Sequence, residues 1–166
     1  MEQYTFREIK QTEIPLLFRL ILSRMAWMDE VGIRQWNVTK YDEVYPPSYY
    51  EEHRQAGEVF VLVDNRSEEL VAVGVLKTED DRWPQDGENA VYLHNFATKI
   101  GEKGVGKIFM QFAEQYARET GRTYFRLDSA VGNVKLEHYY TEQGFVPAGT
   151  CVDGMYEGIL RQKKLN

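Results

Sequence analysis

The sequence predicts an α/β chain of the α+β kind, with a central, mostly antiparallel mixed sheet flanked by helices. Three observations predict it. Runs of β-branched and aromatic residues, such as "EVFVLVD" and "ELVAVGVLKT", alternate with segments whose apolar residues recur at helical spacing. Strands before position 100 follow one another as a meander, whereas two later helices each sit between strands. The 166 residues are enough for one domain with a sizeable core and short for two, so residues 1–166 read as a single domain.

"QYTFREI" is a short strand. Residues 12–31 place Ile14, Leu17, Phe18, Ile21, Met25 and Met28 at helical spacing, and Pro15 is tolerated in the first turn. "VTKYDEVYPP" reads as irregular, and "PSYYEEHRQAG" as a short helix stopped by Gly57. "EVFVLVD" and "ELVAVGVLKT" are strands joined by the polar turn "NRSE". "DDRWPQDGEN" is a loop before the strand "AVYLHNFAT". Val105, Ile108, Phe109, Phe112, Ala113 and Tyr116 then mark one helical face, ended by Gly121. "TYFRLDSA" is a strand, "NVKLEHYYTEQ" a helix closed by Gly144, and "FVPAGTCV" and "MYEGILRQKK" the last strands.

Composition removes several function classes. A formal charge of −6, from 26 acidic and 20 basic side chains, argues against a nucleic-acid partner. The 11 Tyr, 8 Phe and 3 Trp indicate a packed core. A single cysteine, Cys151, excludes an intramolecular disulfide and a Cys-rich zinc site, and no metal is expected. No basic segment followed by an apolar core opens the chain, and no apolar run approaches the roughly 20 residues of a membrane span. The expectation is a cytoplasmic protein with no membrane partner.

"GEKGVGKI", residues 101–108, lies between a strand and a helix, where unpaired N–H groups and a partial positive charge attract an anion. A Walker A loop would need Ser or Thr after its lysine, but Ile108 follows Lys107 and belongs to the apolar face. A coenzyme pyrophosphate needs only close backbone approach, which Gly104 and Gly106 permit, with point charges from Lys103 and Lys107. By itself the glycine pair fits a plain turn equally well.

Further motifs narrow the choice. Together with "YLHNFAT", the loop, Asn133, Tyr140 and Gly144-Phe145 over about residues 90–147, the chain resembles the GNAT superfamily of N-acetyltransferases. That resemblance implies a GNAT-like fold and transfer of an acetyl group from acetyl-CoA to a primary amine, here of a small molecule. It implies that the loop from Lys103 through Gly104, Val105 and Gly106 to Lys107 binds the pyrophosphate, and that Phe96, Ala97, Thr98 and Asn133 hold the pantetheine arm. The loop departs from the family at Gly101, where a Gln or Arg is usual; Lys99 or Lys103 are the candidates to compensate. The resemblance also admits a homodimer.

Acyl transfer needs a proton for the leaving thiolate and a base for the amine. Tyr140 is the expected general acid; neighbouring Tyr139 points about 100° away on the helix. An alkyl ammonium of pKa ~10.4 is free base in only about one molecule in a few thousand at neutral pH. His94, two residues before Phe96 and so expected on its face, is a candidate base, with Glu79, Asp80 and Glu88 as alternatives. His53 and His138 read as surface residues, and Cys151 has no partner suited to an acyl-carrying nucleophile.

Trp27, Trp36, Tyr41, Tyr45, Tyr49 and Trp83, with nearby Asp29, Glu30, Asp42, Glu43, Asp80 and Asp81, suit either a cationic acceptor or a solvated acidic surface over an aromatic core. A module that binds acyl-CoA without turnover is the alternative to the enzyme.

Overall fold

The computed structural model describes residues 2–166. Its strands are β1 Tyr4–Glu8, β2 Val59–Asp64, β3 Glu69–Lys77, β4 Ala90–Thr98, β5 Tyr124–Ala130, β6 Val146–Asp153 and β7 Tyr156–Lys164. The helices are α1 Ile14–Val31, α2 Tyr41–Val44, α3 Pro47–Gln55, α4 Val105–Glu119 and α5 Val134–Glu142, with a 3₁₀ turn at Gln11–Glu13. The strands form a seven-stranded sheet in the order β1-β2-β3-β4-β5-β7-β6. Pairs β1–β2, β2–β3, β5–β7 and β6–β7 are antiparallel, and β4 pairs with β5 in parallel. The predicted mixed, mostly antiparallel sheet with flanking helices is the observed one.

The chain packs as two compact units. The first runs up to Val75 and includes Asn95–Phe112; the second comprises Leu76–His94 and Ala113–Asn166. The backbone therefore passes between units within β3, β4 and α4.

In the first unit, α1 buries Ile14, Leu17, Leu20, Ile21 and Met28, so the predicted stripe faces the core, with Phe18 and Met25 half-buried beside it. Pro15 occupies the first turn, where its missing N–H costs no hydrogen bond, and Gly32 ends the helix in the left-handed region at φ 77°. The segment expected to be irregular contains α2. Trp36 stacks on Tyr41 at 4.2 Å, Tyr41 meets Tyr45 at 4.9 Å, and the N–H of Tyr45 donates to the carbonyl of Tyr41. Four residues are too few to display helical periodicity, so packing makes this turn visible where sequence pattern does not.

Phe6 of β1 is the aromatic hub of this unit. Its ring stacks on Phe60 at 5.1 Å and Phe112 at 5.6 Å, and meets the edge of Phe109 at 5.4 Å. Phe109 in turn stacks on Phe96 at 5.2 Å, so the hub seats the last part of β4 against α4.

In the second unit, β5 pairs along its whole length with β7 but with β4 over three positions only, Ala90–Tyr92 against Tyr124–Arg126. Phe125 meets Phe145 at 5.5 Å, and Phe145 meets Tyr140 at 5.8 Å, which packs α5 on the Phe125 face. Alternation puts Arg126 and Asp128 on the opposite face. There Trp83, Ala90, Tyr92, Cys151 and Leu160 form a second apolar cluster, covered by the 78–89 loop through Trp83.

Phe6→Ala removes the ring shared by three aromatic contacts. Because Phe6 is half-buried, the expected loss is about 2–4 kcal/mol, near the lower end for a core aromatic. Urea unfolding measures it; a loss below about 0.5 kcal/mol, as at an ordinary surface site, shows that the hub does not hold the unit.

Candidate active site

Residue-by-residue alternation would put His94, Phe96 and Thr98 on one face of β4. Asn95 breaks that alternation. Its backbone is left-handed at φ 54°, a conformation costing most residues about 1–2 kcal/mol and tolerated best by Gly, Asn and Asp. Hydrogen bonds hold the kink: the Asn95 amide donates to the Tyr41 hydroxyl at 2.6 Å and accepts from the Tyr49 hydroxyl at 2.9 Å. Asn95 is itself buried, so these partners satisfy an amide that water does not reach. The same-face placement of His94 and Phe96 therefore does not carry over to the folded strand.

Beyond the kink, the first unit gathers most of the predicted coenzyme residues. Phe96 is half-buried against Phe109, and Ala97 is buried. Arg24 of α1 donates through Nε to the Thr98 carbonyl at 2.7 Å and through Nη2 to its hydroxyl at 2.5 Å. The Lys99 N–H donates to the Val71 carbonyl at 2.8 Å. The Lys99 ammonium is paired with Glu69 at 2.6 Å, so the lysine left to compensate at the loop is Lys103.

The loop then turns twice through glycine. Gly101 and Gly104 have φ of 87° and 81°, so both need the left-handed region, and a Cβ at either would meet nothing within 4 Å. Their requirement is conformational, and the turn they make is open. Val105 is buried at the start of α4, while Lys103 and Lys107 are exposed and Gly106 half-exposed. The N–H of Ile108 donates to the Gly104 carbonyl at 3.2 Å; the earlier N–H groups of this helix have no acceptor within it.

The second unit holds the predicted proton-transfer groups on opposite sheet faces. His94 shares the face of Tyr92, whereas Tyr140 packs on Phe145 over the Phe125 face. Asn133 caps α5, its side-chain oxygen accepting from the Leu136 N–H at 3.1 Å. Burial, then Tyr139 and Asp128, push the Tyr140 phenol above its ordinary range, partly opposed by Arg161. It stays protonated at neutral pH and can donate. Arg161 is almost fully buried; its Nε donates to Ser129 Oγ at 2.8 Å, and Nη1 has no partner among the described residues.

His94 Nε2 lies 2.7 Å from Asp80 Oδ2, with side-chain exposures of 10% and 4%. Asp80 Oδ1 accepts the backbone N–H of Arg82 at 2.9 Å. Burial alone would raise the Asp80 carboxyl, but its bonds to His94 and to that N–H outweigh burial and hold it below its ordinary range. Asp128 lies alongside, accepting from Tyr156 at 2.6 Å and from Arg82 Nη1 at 3.1 Å. Of the alternative bases, Glu79 and Glu88 are exposed. His53 contacts Glu58 at 2.8 Å, and His138 is exposed. Burial, with Asp128 adding, pushes the Cys151 thiol up to about 11, so it is no nucleophile at neutral pH.

Donor atoms of Asp80, His94 and Asp128 lie within 4.8 Å of one another, a spacing open to a cation. Nε2 already faces Asp80, and the Arg82 guanidinium and Tyr156 hydroxyl already engage Asp128. A cation there would meet the charge of Arg82.

The expected acceptor region is mainly packing. Rings from Trp36 through Tyr41, Tyr45, Tyr49 and His53 contact in series at 4.2–4.9 Å. Asp29, Glu30, Glu43 and Asp81 are exposed, and Trp83 sits under the Arg126 guanidinium at 4.4 Å. Asp42 is half-buried, and the Asp80 side chain is drawn into the protein against His94. Sequence reasoning missed Asn95, Arg24, Arg82 and Asp128 as site-shaping residues. No helix among the described residues is long and apolar enough to cross a membrane.

The profile of the Acetyltransferase (GNAT) family matches residues 30–145. The fold is similar to that of a GNAT-family acetyltransferase from Listeria monocytogenes, at 22% identity and TM-score 0.79, covering 98% of this chain and 95% of that one. It is also similar to the PaiA N-acetyltransferase from Thermoplasma acidophilum in complex with coenzyme A, at 18% identity and TM-score 0.73 over 99% and 100% of the chains. A third similar structure is YncA, an acetyltransferase described as putative, from Salmonella typhimurium with its cofactor acetyl-CoA, at 14% identity and TM-score 0.69 over 99% and 95%. Among curated proteins, none matches the chain.

Asn95→Ala leaves the buried Tyr41 hydroxyl without its partner and puts a less tolerant residue at φ 54°. An orphaned hydroxyl costs about 1–3 kcal/mol, so the total expected loss is about 2–4 kcal/mol. Adding Tyr41→Phe removes the orphan and should recover part of it. Denaturant melts of both single variants and the double check this; strictly additive losses would show that the bond does not hold the kink.

Proposed function

The chain belongs to the Acetyltransferase (GNAT) family, a family of acetyl-CoA-dependent N-acetyltransferases, and we propose that its acceptor is the primary amine of a small molecule. On this reading residues 1–166 work as one functional domain. The observation that carries the reading is the glycine turn: two left-handed glycines deliver the chain from β4 into α4, with Lys103 and Lys107 exposed beside it. A pyrophosphate suits the unpaired N–H groups and partial positive charge of that helix start. Lys103, Gly104, Val105, Gly106 and Lys107 hold it, mostly through backbone. Phe96, Ala97, Thr98 and Asn133 hold the pantetheine arm. The short β4–β5 pairing supports this, since an added extended chain needs an open strand edge.

In the reaction, His94 takes a proton from the acceptor ammonium. The freed nitrogen attacks the thioester carbonyl carbon, a C–N bond forms, and the C–S bond breaks. The Phe96 N–H stabilises the oxyanion. As the intermediate collapses, the attacking nitrogen gives its second surplus proton to solvent; Tyr140 gives its phenolic proton to the departing thiolate and is reprotonated from solvent, and His94 releases its proton to water. The products are an amide and coenzyme A.

A panel of small primary amines, assayed for acetyl-CoA-dependent thiol release, tests the reading. Coenzyme A binding with no transfer to any amine would instead make the protein an acyl-CoA-binding module. Tyr140→Phe keeps the ring contacts with Phe145 and Tyr139 and removes only the hydroxyl. General-acid help is worth about 10²–10⁴-fold, and a thiolate already leaves fairly well, so the expected loss is about a hundredfold in kcat with unchanged coenzyme A affinity. Tyr139→Phe should stay within a few-fold; equal losses in both remove Tyr140 from the mechanism.

A further inference from the structure

We propose that Asp80 is the positioning residue of the base: it fixes His94 as the Nε2–H tautomer and leaves Nδ1 as the atom that takes the acceptor's proton. The inference deepens the N-acetyltransferase reading and rests on it. Its starting point is how the two Asp80 oxygens are occupied. Oδ1 accepts the Arg82 backbone N–H at 2.9 Å, a donor that cannot be turned away. Oδ2 faces His94 Nε2 at 2.7 Å. An ionised carboxylate only accepts, so the proton of a neutral imidazole must lie on Nε2. The Nδ1 lone pair is then the basic site, and the imidazolium formed on proton uptake stays paired with Asp80 through Nε2.

Asp128, the other carboxylate near His94, does not do this work. Its oxygens accept from the Tyr156 hydroxyl and the Arg82 guanidinium, which already balance its charge. Arg82 thus contributes to both carboxylates by different groups, its backbone N–H to Asp80 and its guanidinium to Asp128. The side chain can be removed without touching the bond that orients Asp80. The chemical balance of the step is simple: the N–H bond of the ammonium breaks, an Nδ1–H bond forms, and the proton later leaves to water.

Asp80→Asn is the informative substitution because its geometry is predetermined. The amide oxygen must take the Arg82 N–H, as Oδ1 does, which places the NH₂ group against His94 Nε2. Nε2 must then accept, the ring proton moves to Nδ1, and the basic lone pair is lost from the working position. A nearly isosteric change thus inverts the tautomer while keeping both hydrogen bonds.

Protein labelled with ¹⁵N-histidine reports this directly, without any acceptor. Only three histidines are present, and His94→Gln identifies the signals of His94. At a pH where the imidazole is neutral, the attached-proton splitting is expected on Nε2 in the parent and on Nδ1 in Asp80→Asn. Arg82→Ala should leave it on Nε2. In turnover, Asp80→Asn should lose about a hundredfold or more in kcat, with little change in the KM for acetyl-CoA. The Asp80→Asn, His94→Gln double variant should be no slower than His94→Gln alone, since the two act as a unit. A purely structural Asp80 predicts additive losses instead. A parent His94 protonated on Nδ1, an unchanged tautomer in Asp80→Asn, a flipped one in Arg82→Ala, or normal turnover in Asp80→Asn each overturn the proposal. If Asp80→Asn does not fold, the parent and Arg82→Ala spectra still decide the tautomer. A parent that transfers acetyl to no amine counts against the N-acetyltransferase reading, and the tautomer measurement stands apart from it.

Discussion

The left-handed backbone of Asn95 is the constraint around which β4 is organised. Regular pleating would make this strand one more rung in a sheet, with side chains alternating from Ala90 to Thr98. One residue at φ 54° ends that register. The residues before it follow the alternation shared with β5, and those after it answer to α1, through Arg24, and to the Phe6–Phe109–Phe96 stack. The kink persists because it is over-determined: two tyrosine hydroxyls hold the Asn95 amide, each bond contributing about 0.5–1.5 kcal/mol, enough together to offset the strain of one left-handed asparagine.

Charge is distributed with similar economy. Most of the acidic excess lies on the surface, as in Asp29, Glu30, Glu43 and Asp81. A few ionisable groups are drawn inside the second unit: Asp80, Asp128, Arg82, Arg126 and Arg161. Burying a charge costs several kcal/mol unless hydrogen bonds compensate. Four of the five have a close opposite charge or a histidine: Asp80 has His94, Asp128 has Arg82, and Arg126 has Asp86 at 2.7 Å. Arg161 has a neutral hydroxyl instead, beneath the helix that carries Tyr140. Its positive field opposes the burial that keeps the tyrosine protonated, which on the proposed reading eases the proton loss asked of this group.

Much of this architecture was legible in the sequence because its elements announce themselves through period. The stripe of α1, the two apolar strands β2 and β3, and the glycine that opens α4 are local signals. The residues that shape the site are not. Asn95 looks like an ordinary polar residue in a strand until Tyr41 and Tyr49, some fifty positions earlier, are folded against it. Asp80 is one carboxylate among several in a loop; only folding separates it from the exposed Glu79 and Glu88 and sets it against His94. Lys99 looks available to the loop, and its pairing with Glu69 cannot be read from a distance of 30 residues. Periodicity reports which face a side chain occupies, not which partner waits there.

Gly101 shows how a departure from a family pattern can follow from geometry. The Gln or Arg that the sequence resemblance leads one to expect would bring a side chain to this position, but the backbone here sits at φ 87°, where a residue with a Cβ is strained by about 1–2 kcal/mol. Space is not the obstacle, because nothing lies within 4 Å of where the Cβ would be. Glycine offers no side-chain donor here, but it makes this left-handed turn easily. On the proposed reading, the pyrophosphate is therefore held chiefly by the N–H groups that the second left-handed glycine, Gly104, delivers at the start of α4. Backbone donors are fixed in place before any ligand arrives, so they lose little entropy on binding. Exposed Lys103 and Lys107 add charge without geometric demand, and the ion pair of Lys99 with Glu69 steadies the end of β4 from which the turn departs.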